Sequence, residues 1–84
     1  MNYKEELIEH IDKIHTTELG IQRIQKNLKI DEDPVKYCLD LIKDENSIVT
    51  KNGKNFYVNI YNKELTINSS SFTIITAHLK KDKS

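Results

Sequence analysis

The stretch "SIVTKNGKNFYVNIYNKELTIN", Ser47 to Asn68, decides the fold, because here the period of the chain changes. Before it, apolar residues recur every three or four positions; within it they alternate with polar ones, which is the spacing of a half-buried strand. Phe56, Val58 and Ile60 take one side, while Tyr57, Asn59 and Tyr61 take the other. Asn52-Gly53 is the strongest short hairpin signal, since a type I′ turn needs positive φ at both central positions. Strands are expected over about 47–51 and 54–61. "YNKE" then turns the chain into a third strand over about 64–68, with Leu65 and Ile67 inward.

Toward the C-terminus, "SSS" makes another turn and "FTIITAHL" reads as a fourth strand over 72–79. It carries apolar groups on both faces: Phe72 and Ile74 fall with Thr76 and His78, and Ile75, Ala77 and Leu79 fall opposite, toward the helices. The last strand of a meander lies at an edge, yet a two-sided apolar strand needs cover. A non-sequential strand order, a partner or a second copy of the chain would supply it, and a homodimer is one expectation.

Toward the N-terminus, Tyr3, Leu7, Ile11 and Ile14 are spaced for a helix over about 2–14. Thr16 or Thr17 can cap a second helix over about 17–29, with Glu18 favoured in its first turn. Asp33-Pro34 is a strong start for a third over about 34–44, with Val35, Cys38, Leu39 and Ile42 as its apolar stripe. The expected architecture is α+β: three N-terminal helices followed by a four-stranded antiparallel β-meander. One domain over 1–79 would leave 80–84 as a disordered tail.

Eighty-four residues make one small domain, in which a single core buries roughly 60–65% of the unfolded chain's surface. Apolar content of 37% and mean hydropathy of −0.62 are low, but the regular spacing of Ile and Leu indicates a folded chain. No stretch has the apolar run of a signal peptide or the roughly 18 apolar residues of a membrane span, so a cytoplasmic protein is expected. The single Cys38, on a helix stripe, reads as a small buried side chain.

Charge is balanced overall but not along the chain. Residues 1–46 hold seven Lys or Arg against eleven Asp or Glu, and residues 47–84 hold six against two. Mutual attraction of the halves is the plain reading; a phosphate-bearing partner meeting the basic half is the sharper one.

Arg23 and Asn27 fall on the apolar arc of the second helix, where a guanidinium either pairs with an acid at the edge or stands ready as a fork for phosphate or carboxylate. His10 reads as a surface residue. His15 follows the first helix, where its imidazolium would favour the helix C-terminal dipole. Thr76 and His78 project together from the last strand. No histidine pair has metal-ligand spacing, one Cys makes no cluster, and Gly20 and Gly53 form no phosphate loop, so no metal or cofactor is expected. What remains is a kit for metal-independent RNA cleavage. His15 and His78 would exchange protons, Arg23 would stabilise the phosphorane, and Thr76 would position an oxygen. Thr16, Thr17, Glu18, Asn27 and Lys54 are candidate substrate contacts.

Three motifs carry a resemblance: "IHTTELGIQRIQKNL" (Ile14–Leu28), "GKNFYV" (Gly53–Val58) and "FTIITAH" (Phe72–His78). Together they resemble a family of short bacterial proteins labelled only as of unknown function. Helices followed by a meander ending in a Thr-rich strand also resemble, in topology, the barnase, EndoU, colicin and RelE-like ribonuclease superfamily. That resemblance implies a site at His15, Arg23, Thr76 and His78, and RNA as partner.

The competing reading is a non-catalytic binding module. As a winged helix, the second and third helices would form the helix-turn-helix with Lys51 to Lys54 in the wing, although Asp33, Asp40, Asp44 and Glu45 put the wrong sign near phosphates. As a protein-interaction domain it would use Tyr57 and Tyr61, with Asn55 and Asn59, on the outer sheet face.

Overall fold

A computed structural model describes residues 2–80. Helix α1 spans Tyr3–Glu9, and the Asn2 side chain accepts from the Glu5 amide at 2.8 Å as its cap. It is shorter than the expected 2–14 helix. The backbone leaves helical geometry at His10 (φ −108°, ψ 25°), and one 3₁₀ turn, Ile11–Lys13, follows. Helix α2 spans Glu18–Leu28, capped by Thr17, whose hydroxyl accepts from the Gly20 amide at 3.0 Å. Helix α3 spans Pro34–Lys43; the Asp33 carboxylate accepts from the amides of Val35 and Lys36, and Pro34 fills the first turn as its sequence suggests.

Four strands follow: β1 Ile48–Asn52, β2 Asn55–Ile60, β3 Lys63–Asn68 and β4 Ile74–Leu79. They pair antiparallel in sequential order, completing the α+β meander. The β1–β2 turn is displaced by one residue from the expected Asn52-Gly53. Asn52 pairs with Asn55, the turn residues are Gly53 and Lys54, and between them only Gly53 has positive φ (64°), as a type II′ turn requires. Moving a turn by one residue changes each cross-strand partner by two, so every side chain keeps its face.

On the inner face three rows run across the sheet: Val49, Val58, Leu65 and Ala77; Lys51, Phe56, Ile67 and Ile74; and the shorter row Ile60, Lys63 and Leu79. These rows meet Leu7, Ile14, Ile24, Leu28, Cys38 and Ile42 from the helical half to form the core. Lys51 closes its row at the sheet margin with its ammonium 5.5 Å from the Phe56 ring centre.

The fourth strand corrects the sequence reading in two ways. Ile67 pairs with Ile74, but its neighbour Thr66 pairs with Thr76, so Ile75 is an extra residue in a β-bulge. The bulge resets the alternation. Ile74 and Ala77 both point into the core, while Ile75 is 40% exposed instead of facing the helices. Phe72, expected inside the strand, precedes it with φ of 58° and packs its ring on Phe56 and His10. His10 is therefore no plain surface residue: its ring lies 4.8 Å from Phe72, and its Nδ1 meets the Glu6 carbonyl at 3.0 Å.

The cover for this edge comes from the chain itself, within the sequential strand order. His15 pairs with Thr73 in a parallel bridge, its amide donating to the Phe72 carbonyl and its carbonyl accepting from Ile74. The Thr16 hydroxyl donates to the Ile74 carbonyl and the Asn27 amide group to the Ala77 carbonyl. Among the described residues no helix is long and apolar enough to cross a membrane.

Candidate functional site

With the helices on one side, the other sheet face carries, among the described residues, only its own side chains. Three rows cross it: Ile48, Asn59, Glu64 and His78; Thr50, Tyr57, Thr66 and Thr76; and Asn52, Asn55 and Asn68. Hydroxyls and amides dominate, which suits a hydrogen-bonding ligand better than an apolar one.

One end of this face concentrates the chemistry. Glu64 and His78 stand directly opposite one another on β3 and β4, with His78 Nε2 3.4 Å from Glu64 Oε1. Both are partly open to solvent. Beside them Thr76 lies opposite Thr66, which lies opposite Tyr57. Lys80 belongs to this end too. Its amide donates to the Asn62 carbonyl at 2.6 Å, and its ammonium reaches across β3 to the side chain of Asn59. It is thus held in the fold, while the rest of the expected tail, 81–84, lies outside the described residues. A carboxylate, an imidazole, an ammonium and several hydroxyls meet within one corner of the sheet.

The four residues expected to converge do not form one site. Thr76 and His78 share the outer face, but His15 sits beside Thr73, five residues before His78 along an extended segment, or roughly 16 Å. Both ring nitrogens of His15 have partners: Nδ1 meets the Lys13 carbonyl at 2.8 Å and Nε2 the Thr73 hydroxyl at 3.1 Å. It occupies extended structure joined to the edge of the sheet and does not serve the C-terminus of α1. Arg23 is exposed on α2, and among the described residues it shares no hydrogen bond or ion pair with His78.

The expected substrate contacts divide similarly. Thr16 and Asn27 bond the carbonyls of β4, and Thr17 caps α2 with Glu18 exposed beside it. Lys54 lies in the β1–β2 turn, where its carbonyl accepts from Ser69; it is five residues, about 16 Å, from Asn59. Tyr57 lies on the outer face, but Tyr61 lies beyond β2 with φ of 53° and accepts a bond from the Asn46 amide group.

Glu64 and Lys80 were not among the residues picked out by sequence, and Asn59 was picked out only as part of an interaction surface. The "YNKE" turn holds the signal for part of this: pairing Ile60 with Lys63 across it sets Glu64 opposite Asn59. Among the described residues no three His, Cys, Asp or Glu side chains group as metal ligands. Burial, with the Asp33 charge adding to it, pushes the Cys38 thiol up to about 12, which makes it a poor nucleophile near neutral pH.

A family model described as a protein of unknown function, DUF3781, matches residues 8–78. No curated protein and no solved structure matches the chain, ribonucleases included.

Proposed function

Because the chain belongs to the DUF3781 family of unknown function, its chemistry has to be sought on its own surface, and we propose that it is a metal-independent, ribonuclease-like protein acting on RNA at the outer sheet face. The observation that carries this reading is the Glu64–His78 pair, 3.4 Å apart and flanked by Thr76 and the Lys80 ammonium. A carboxylate and an imidazole supply the two proton transfers that RNA cleavage needs near neutral pH.

A phosphodiester enters between the two side chains and replaces their mutual contact. Glu64 takes the proton from the ribose 2′-hydroxyl as that oxygen bonds to phosphorus. The bond from phosphorus to the 5′-oxygen breaks, and protonated His78 gives its proton to the leaving oxygen. The products are a 2′,3′-cyclic phosphate and a 5′-hydroxyl end, and one proton returns from Glu64 to His78. Lys80 lies where negative charge builds on the phosphoryl oxygens, and the hydroxyls of Thr66 and Thr76 orient the ribose. Tyr57 offers a ring on which a base can stack.

The test is incubation of single-stranded RNA with the protein in EDTA. Cyclic-phosphate products, lost in His78→Ala, are expected; intact RNA across several pH values overturns the reading. A binding-only alternative rests on the same Tyr57, Asn55 and Asn59 surface, and retention of RNA without cleavage is its signature.

A further inference from the structure

A second surface lies on the flank of α2, where Leu19, Gln22, Arg23, Lys26 and Asn27 line an open groove of about 470 Å³. Their spacing places them along a single side of the helix. The groove is cationic in an otherwise acidic half of the chain: among the described residues, neither Arg23 nor Lys26 has an ion-pair or side-chain hydrogen-bond partner. Its position is fixed as well, because Asn27, one turn beyond Arg23, donates to the Ala77 carbonyl between Thr76 and His78.

We infer that this groove is a second phosphate-binding subsite for the same RNA strand, an inference that rests on the proposed reading of the sheet face. The strand crosses the β4 edge, with one phosphate at Glu64 and His78 and neighbouring phosphates at Arg23 and Lys26. Arg23 presents a planar fork suited to two phosphoryl oxygens, and Lys26 adds a point charge. Gln22 and Asn27 face the sugars with neutral amides, and exposed Leu19 gives a base an apolar surface. The substrate class this implies is an unpaired RNA segment of several nucleotides, since a lone dinucleotide cannot occupy both places.

The test uses the full chain and a labelled 2′-O-methyl RNA octamer, which lacks the attacking hydroxyl and is bound without being cut. Reversing both charges in R23E/K26E is expected to weaken binding at least tenfold and to lower the log–log salt slope by about 1.4, or about 0.7 per phosphate contact. Both side chains are exposed, so an unchanged melting temperature confirms an intact fold. Equal affinity and slope in the variant overturn the subsite, as does Arg23-dependent capture of a polyglutamate peptide in place of RNA. Cleavage of a diribonucleotide separates the two readings. If wild type and R23E/K26E cut it equally while only the variant's KM for longer RNA rises, the subsite stands; if wild type cuts no RNA yet binds the octamer through Arg23 and Lys26, the groove stands and the catalytic reading falls.

Discussion

The hydroxyl of Thr16 donates to the carbonyl of Ile74 across 2.9 Å, and the same hydroxyl occupies the space that a side chain on Gly20 would need. Two demands therefore meet at one atom: α2 starts close to β4, and the edge of β4 receives one of its hydrogen bonds.

Replacing Gly20 with Ala in a helix ordinarily stabilises by about 1 kcal/mol. Here the new methyl displaces the Thr16 hydroxyl and leaves a sheet carbonyl unpaired, at about 1–3 kcal/mol. G20A is expected to be destabilised on balance by about 1 kcal/mol in urea denaturation. In a T16A background the same change is expected to stabilise, and that reversal of sign in the double-mutant cycle is the check.

Ile74 and Ile75 are chemically identical neighbours with 1% and 40% exposure. Ile74→Ala is expected to cost about 2–5 kcal/mol, as for a filled core site, and Ile75→Ala less than about 1 kcal/mol. Similar costs in thermal or chemical melts would refute the placement of the bulge.

The two strand-associated histidines are expected to separate by phenotype. His78→Ala and Glu64→Gln each lower RNA cleavage about 10²-fold or more with little change in melting temperature. His15→Ala loses its bond to Thr73 and lowers stability by about 1 kcal/mol while retaining cleavage per folded molecule. Equal loss of activity in H15A would restore His15 to the catalytic set.

The Cys38 thiol titrates near 9.0 when exposed and is pushed to about 12 by burial. Between those values the unfolded chain releases a proton that the folded chain keeps, so stability falls as pH rises, by at most about 1.4 kcal/mol per pH unit. Wild type is expected to lose its stability advantage over C38A as pH climbs from about 8 to about 10.5, and its native thiol to resist alkylation at about pH 8. A gap that stays constant with pH would contradict the burial.

The order of elements was legible because local signals agree with the tertiary structure: Asp33-Pro34 opens α3, Thr17 caps α2, and alternation from Phe56 to Ile60 defines a face. The family resemblance carried by the His15, Gly53 and Phe72 motifs likewise agrees with the matched family of unknown function. The site was less legible because it depends on register. A three-residue Ser69–Ser71 turn pairing Asn68 with Phe72 would have set Glu64 opposite Thr76. The longer loop and the extra Ile75 bring His78 there instead. A one-residue bulge has no sequence signature beyond the doubled Ile74-Ile75, whose two-sided apolar pattern read as a need for outside cover. Arg23 misled for a related reason: its arc on α2 divides, with Gly20, Ile24 and Leu28 buried and Leu19 and Arg23 left at the surface.

The sealing of β4 by His15, Thr16 and Asn27 also gives the sheet a polarity. Among the described residues β1 is hydrogen-bonded to another strand along one side only, so strand-by-strand growth has a single open end there. Two such sheets joined through β1 present sealed β4 strands at both outer limits. Edge-to-edge association through this sheet therefore terminates at two molecules, and the contacts that close β4 also guard against fibre formation.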